Sequence, residues 1–205
     1  MRLFIAIELP ETIKSELAGI QSKLKASRAD VKWVEPQNIH LTLKFLGYVQ
    51  QDKIAAIKNA VDKIAGQTKA FNISLSEIGA FPDLNSPRVI WVGIDDVGAG
   101  RDLPLLVDVL ANELSKLDFP KEKRPFSAHL TLGRIHSSKG KENLKELIED
   151  INEQRRGEPM CSPQTKGQTH WSAPTHIDHI ALFQSTLTPK GPVYTNLYEA
   201  RLRPI

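Results

Sequence analysis

The chain has 205 residues, of which 40% are hydrophobic and 25% charged, and its formal net charge is +3. These values are typical of a soluble globular protein and lack the strong basic excess of a dedicated nucleic-acid binder. No apolar stretch approaches the roughly 18 residues of a membrane span, so we expect no membrane association. The first residues do not resemble a signal peptide, and the lone Cys161 excludes an intrachain disulfide, so we expect a cytoplasmic location. We also expect a monomer.

Strand and helix patterns follow one another along the chain without a strict strand–helix–strand repeat. Short apolar or alternating stretches predict strands, and apolar residues spaced three or four positions apart predict amphipathic helices. This order predicts an α+β fold in a single bilobal domain over residues 1–205. The strands are expected at 2–9, 31–34, 39–46, 71–81, 88–95, 127–135, 179–187 and 193–202, and the helices at 11–26 and around 54–64, 106–117 and 144–151.

The segment at about 153–175 is polar and contains three prolines and two glycines. A long segment without secondary structure is uncommon inside a compact domain, and it is usually either functional or mobile. We expect a mobile surface loop here, with a lid over the substrate as the alternative.

One four-residue motif, His-Leu-Thr-Leu, occurs twice, at 40–43 and at 129–132. In a strand, alternate residues point to the same face, so each histidine shares a face with its threonine and the leucines lie behind. Each copy is followed by a helix and further strands. This predicts two similar lobes related by a pseudo-twofold axis, with two mainly antiparallel sheets flanking a central groove and helices on the outside.

The two predicted histidine–threonine faces suit acid–base chemistry on an anion. Histidine titrates near neutral pH, so His40 and His129 on opposite sides of a substrate can act as one acid and one base. The hydroxyls of Thr42 and Thr131 can donate hydrogen bonds to phosphate oxygens. The pattern predicts in-line displacement at phosphorus without a metal or cofactor, and it leaves open which histidine is the acid.

With these motifs, the sequence resembles the two-histidine (2H) phosphoesterases, and more narrowly the LigT-like RNA 2′,3′-cyclic phosphodiesterases, also called 2′-5′ RNA ligases. The resemblance extends over nearly the whole chain. It is carried by FIAIELPE, VKWVEPQNIHLTLKFLG, IGAFPDLNSPRVIWVGI, RPFSAHLTLGRI and LFQSTLTPKGPVYTNL.

The resemblance implies hydrolysis of RNA 2′,3′-cyclic phosphate ends to 2′-phosphomonoesters, with a small cyclic nucleotide as the other substrate to consider. It implies that His40 is the proton donor and His129 the proton acceptor, and that Thr42 and Thr131 bind the phosphate. It also suggests Arg134 near the phosphate. Strict alternation would turn Arg134 away from the histidine face, and a bulge at Gly133 would turn it back.

Three alternatives are weighed against cyclic phosphate hydrolysis. The same site could join RNA ends, with a hydroxyl attacking instead of water, or the groove could bind RNA without catalysis. A metal site at His176, Asp178 and His179 is not favoured, because on a strand His179 would face away from the other two.

Phe45 is open to two interpretations, a base-stacking side chain or part of the core.

Overall fold

The computed structural model of the protein describes residues 1–97, 102–157, 173–189 and 191–204. No helix in these ranges has the length and apolar character needed to cross a membrane. Short 3-10 turns lie at Pro36–Asn38 and Gln51–Lys53. The strands are β1 (Arg2–Glu8), β2 (Val31–Trp33), β3 (His40–Tyr48), β4 (Phe71–Phe81), β5 (Val89–Val97), β6 (His129–Ile135), β7 (Thr175–Ile177), β8 (His179–Thr188) and β9 (Gly191–Arg201), and the helices are α1 (Glu11–Lys25), α2 (Ile54–Ala65), α3 (Asp102–Ser115) and α4 (Lys141–Gly157).

The strands form two antiparallel sheets, which confirms the predicted α+β fold. The first sheet has the order β3-β1-β8-β9, and the second has the order β2-β6-β5-β4-β7. Apart from β2, the orders correspond strand by strand, with each motif strand (β3 or β6) followed by its neighbour (β1 or β5). The helices correspond as well, because α2 contacts β8 and α4 contacts β4. The described part of the chain therefore has the duplicated architecture that the repeated motif predicts.

The two sheets are not two successive halves of the chain. The C-terminal strands β8 and β9 complete the first sheet, beside β1. Conversely, β2 from the N-terminal part joins the second sheet, where Val31, Lys32 and Trp33 pair with the end of β6. The chain then passes through the 3-10 turn and enters the first sheet at β3. This crossing brings the start of β3 close to β6, and the two motif strands contact each other.

One continuous apolar core joins both sheets and the four helices. The motif leucines belong to it, and Leu41, Leu130 and Leu132 are completely buried, as Leu43 nearly is. Burying a leucine side chain contributes roughly 1.5–3 kcal/mol, so the leucines hold each motif strand with its histidine side turned outward. A smaller apolar cluster of Phe4, Ala6, Ala181 and Phe183 lies on the opposite face of the first sheet.

The predicted loop at about 153–175 begins too early, and the short strand β7 that follows it was not predicted. Helix α4 continues to Gly157, because Glu153 and Gln154, which follow Asn152, favour helix although they leave no apolar pattern. At the other end, β7 pairs with β4, and Ile177 is buried opposite Phe71. Residues 158–172 lie outside the described ranges, so the rest of the loop prediction stays a prediction.

Candidate active site

A β-bulge follows the threonine of the second motif. Trp91 of β5 lies opposite Thr131, and the next pair joins Ile90 to Gly133, so Leu132 is an extra residue on β6. Both Leu132 and Gly133 are buried, and Arg134 is exposed. A bulge shifts the alternation of side chains by one position. The bulge expected near Gly133 is therefore present, and it returns Arg134 to the face of His129 and Thr131.

The first motif strand has a bulge at the same position. Ala6 of β1 lies opposite Thr42, and Ile5 lies opposite Lys44, so Leu43 is the extra residue. Lys44 is buried and its Nζ donates hydrogen bonds to the Pro120 carbonyl and the Glu122 carboxylate. Each motif strand therefore has the same arrangement. The histidine and the threonine lie on one face, the next two residues are buried, and the side chain after them returns to the histidine face.

Phe45 is the residue that the first bulge turns back, and it occupies the position of Arg134 in the other strand. Its side chain is 62% exposed. Its ring centroid lies 6.1 Å from that of Phe4, on the face that carries His40. Of the two interpretations of Phe45, the structure excludes the core.

The imidazole of His40 is held by a backbone hydrogen bond and a layer of aromatic rings. Its Nδ1 lies 2.9 Å from the carbonyl oxygen of Asn38. The ring stacks on Phe4 with centroids 4.7 Å apart, and Tyr194 meets it edge to face at 5.0 Å. Burial lowers the pKa of His40, while the bond to Asn38 and the nearby Glu8 carboxylate act in the opposite direction. The site thus favours the neutral imidazole more than water does.

The imidazole of His129 is held in the same way. Its Nδ1 lies 2.7 Å from the carbonyl oxygen of Ser127, again two residues earlier in the chain. Phe81 meets the ring edge to face with centroids 4.9 Å apart, and Trp91 lies at 6.4 Å. The backbone bond and the aromatic support therefore recur at both histidines.

The backbone bonds determine the tautomer of both histidines. A carbonyl oxygen can only accept a hydrogen bond, so Nδ1 carries the proton in each ring. Nε2, on the far side of the ring, is then an acceptor in the neutral form and a donor in the imidazolium form. His40 and His129 each offer one nitrogen for proton transfer, and the hydrogen bonds alone do not distinguish acid from base.

The charge of Arg134 in one half of the site acts on Tyr194 in the other half. Tyr194 lies on β9 in the first sheet and Arg134 on β6 in the second. Burial raises the pKa of Tyr194, and the positive charges of Arg134 and Arg2 oppose that increase. The charge of Arg134 therefore reaches a side chain that touches the ring of His40.

Gln21 of α1 is a positioning residue that the sequence reading missed. Its buried side-chain amide donates hydrogen bonds to the carbonyl oxygens of Val34 (2.7 Å) and Leu132 (2.9 Å). The Leu132 carbonyl belongs to the bulge in the second motif and also accepts a bond from the Val34 backbone. Gln21 thus ties the bulge of β6 to α1 and to the segment that follows β2. A polar residue on the apolar face of a predicted helix was the signal that could have found it.

The aromatic layer under His40 was also missed. Phe4 stacks on Phe183 with centroids 5.4 Å apart, and Tyr194 meets Phe4 edge to face at 5.2 Å. These residues come from β1, β8 and β9, which only the sheet topology brings together. The unbroken apolar run of the first strand was the available signal, because such a run indicates burial on both faces.

The three candidate metal ligands near the C-terminus form two separate side-chain contacts. His179 and Asp178 form a hydrogen bond of 2.7 Å, and this bond lowers the pKa of Asp178. His176 lies 3.3 Å from the side-chain oxygen of Asn72 on β4. Within the described residues, no cluster of three histidine, cysteine, aspartate or glutamate side chains is arranged to hold a metal ion.

The sequence profile of the LigT-like phosphoesterases matches residues 7–91 and 94–194. The chain belongs to the LigT-like phosphoesterase family. Among its relatives, this LigT-like chain is 37% identical to the RNA 2′,3′-cyclic phosphodiesterase of Methanocaldococcus jannaschii, over 97% of the chain and 99% of that protein. It is 33% identical to the enzyme of the same name from Methanothermobacter thermautotrophicus, over 98% and 99%.

Two solved structures share the fold of this chain. A protein from Thermus thermophilus superposes with a TM-score of 0.76 at 27% identity, over 100% of this chain and 99% of that one. E. coli LigT complexed with 3′-AMP gives a TM-score of 0.71 at 25% identity, over 98% and 97%. These matches extend over both sheets, so the whole duplicated architecture is that of the LigT-like fold.

Proposed function

We propose that this protein hydrolyses RNA 2′,3′-cyclic phosphate ends to 2′-phosphomonoesters. The observation that carries the proposal is the equivalence of His40 and His129. Each is held through Nδ1 by a carbonyl two residues earlier, and the strands that carry them contact each other. Two relatives named RNA 2′,3′-cyclic phosphodiesterase align over nearly their whole length, which supports the same activity here.

In this mechanism, one proton enters and one leaves through the two Nε2 atoms. Neutral His129 accepts a proton from water as the water oxygen attacks phosphorus. The bond between phosphorus and the 3′ oxygen breaks, and protonated His40 gives its proton to that oxygen. The product is a 2′-phosphomonoester with a free 3′-hydroxyl. Hydroxyls of Thr42 and Thr131 and the guanidinium of Arg134 hold the nonbridging oxygens.

The burial of His40 is compatible with its role as the acid. An imidazolium whose pKa is lowered transfers its proton to a departing alkoxide more readily, once it is formed. The anionic substrate and the Glu8 carboxylate favour the charged form, which burial alone disfavours. The cyclic phosphate therefore helps to protonate the acid that cleaves it.

The test is product analysis with an RNA oligonucleotide that ends in a 2′,3′-cyclic phosphate, in the presence of a chelator. We expect a 2′-phosphate, and we expect His40→Ala and His129→Ala each to reduce kcat by about 10²–10⁴-fold. His136→Ala is the matched control, because His136 is exposed just beyond β6. The proposal fails if the wild-type protein opens no cyclic phosphate. Full activity in both variants would overturn the assigned roles.

The alternative reaction, end joining, is tested by adding an RNA with a free 5′-hydroxyl to the same assay and looking for a joined product.

We further propose a monomer with one bilobal domain over residues 1–205, because one apolar cluster joins both sheets. The lone Cys161 supports a reducing, cytoplasmic location. Analytical ultracentrifugation of the purified protein tests the monomer directly, and a dimer at working concentrations would contradict it.

A further inference from the structure

Two large aromatic side chains and an arginine are exposed along the end of the first sheet. Phe45 is 62% exposed and Tyr48 is 85% exposed. Tyr48 lies opposite Arg2, and Phe45 lies opposite Phe4. Paired residues of an antiparallel sheet share a face, and Arg2 and Phe4 are two positions apart on β1. Arg2, Phe45 and Tyr48, here named the β3 strip, therefore lie on the same face as His40.

The β3 strip is continuous with the candidate active site. Phe4 lies between Phe45 and His40, with ring centroids 6.1 Å from the first and 4.7 Å from the second. The charge of Arg2 acts on Tyr194, whose ring touches His40. A ligand that fills the site can extend from His40 onto the strip without leaving the surface of the first sheet.

The strip depends on irregularities in β3. The first bulge turns Phe45 to the His40 face, and a second bulge between Phe45 and Gly47 does the same for Tyr48. Gly47 has a φ of +72°, which favours glycine at this position. The Met1 carbonyl accepts a hydrogen bond from the Val49 backbone, so the ladder between β1 and β3 is held beyond the strip. The exposed side chains therefore project from a paired backbone.

The chemistry of the strip matches single-stranded nucleic acid. Aromatic rings stack on bases of any sequence, and a positive charge beside them binds the phosphate backbone. The second lobe adds the positive charge of Arg134 near the same groove. An apolar protein partner would leave the positive charges of the arginines unpaired. An acidic partner would leave the two exposed rings without a stacking contact.

We propose that the β3 strip binds the nucleotides immediately upstream of the terminal cyclic phosphate in single-stranded RNA. Phe45 and Tyr48 stack on bases, and Arg2 binds a phosphodiester between them. This inference rests on the proposed function, and it makes RNA strands, rather than small cyclic nucleotides, the preferred substrates of the site.

The experiment compares kcat/KM for a nucleoside 2′,3′-cyclic monophosphate with kcat/KM for a short single-stranded RNA that ends in the same nucleotide. We expect the wild-type protein to prefer the RNA. Phe45→Ala and Tyr48→Ala should each reduce that preference by about 5- to 140-fold, the range for loss of one stacked base. Arg2→Gln should reduce it and weaken its dependence on salt concentration.

Two control variants separate the strip from general surface effects. Leu105→Ala removes an exposed apolar side chain from α3. Arg203→Gln removes an exposed arginine whose backbone pairs with the segment after α2. Both controls should keep the wild-type preference for RNA. The proposal is overturned if the strip variants keep that preference too, or if they lose activity equally on both substrates.

Direct binding separates failure of the inference from failure of the proposed function. Fluorescence anisotropy with a labelled single-stranded RNA that ends in a 2′-phosphate requires no turnover. If the wild-type protein hydrolyses nothing, the proposed function fails, and the strip is judged by binding alone. Weaker binding by the triple variant R2Q/F45A/Y48A then supports the strip, and unchanged binding rejects it.

Discussion

Tyr194 of β9 meets the imidazole of His40 edge to face, with ring centroids 5.0 Å apart and planes at 86°. The two residues lie on opposite edge strands of the first sheet, and the ring of Phe4 contacts both of them. This contact shields His40 from water, and burial is the main cause of its lowered pKa. Tyr194, which is distant in sequence, is therefore one of the rings that bury the proposed acid.

Removing the ring of Tyr194 should raise the pKa of His40. Tyr194→Ala exposes the imidazole to water and so favours its charged form. Tyr194→Phe keeps the ring and should leave the pKa of His40 near its wild-type value. NMR titration of the His40 ring protons measures both. An equal shift in the two variants would show that the hydroxyl, and not the ring, controls the histidine.

Glu8→Gln should lower the pKa of His40, because the Glu8 carboxylate favours the imidazolium. If His40 is the acid, activity falls as pH rises through its pKa, so the alkaline limb of kcat/KM should move to lower pH. Movement of the acidic limb instead would identify His40 as the base. Glu11→Gln is the control, since the exposed Glu11 carboxylate pairs with the same lysine, Lys14, as Glu8 does.

Gly133→Ala should destabilise the pairing of β2 with β6. A Cβ at this position would lie 2.6 Å from a methyl carbon of Val31 and 3.1 Å from the ring of Trp33. Overpacking of this kind typically costs about 1–3 kcal/mol, measurable by denaturant unfolding. The second substitution Val31→Ala removes the closest contact and should restore part of the loss. Full stability in Gly133→Ala alone would show that β2 moves away without cost.

Gln21→Leu should affect both stability and activity. It leaves the Val34 carbonyl without its side-chain donor and the bulge carbonyl of Leu132 with one bond fewer, at a cost of about 1–3 kcal/mol. Because the bulge orients Arg134, we expect KM for a cyclic nucleotide to rise as well. Ser22→Ala, at an exposed position beside it on α1, should change neither. A loss of stability with unchanged KM would reduce Gln21 to a purely structural role.

Local patterning was sufficient to predict most elements. The strand at 71–81 was predicted with its observed limits, and the four helices were placed from their apolar spacing. Errors occurred where polar residues form regular structure, as at the end of α4, and where a strand is short, as in β7. The end of α4 is held by backbone hydrogen bonds, and β7 is held by pairing with the distant strand β4. Neither kind of contact produces a local apolar pattern in the sequence.

The sequence by itself determined the two faces of each motif strand, because His-Leu-Thr-Leu alternates a histidine and a threonine on one face with buried leucines on the other. The tertiary structure decided what surrounds them. Sheet topology placed Phe4 and Tyr194 against His40, and two matching bulges turned Phe45 and Arg134 toward the site. Bulges and long-range ring contacts arise from pairing between distant strands, so the energy that selects them exists only once the sheets have formed.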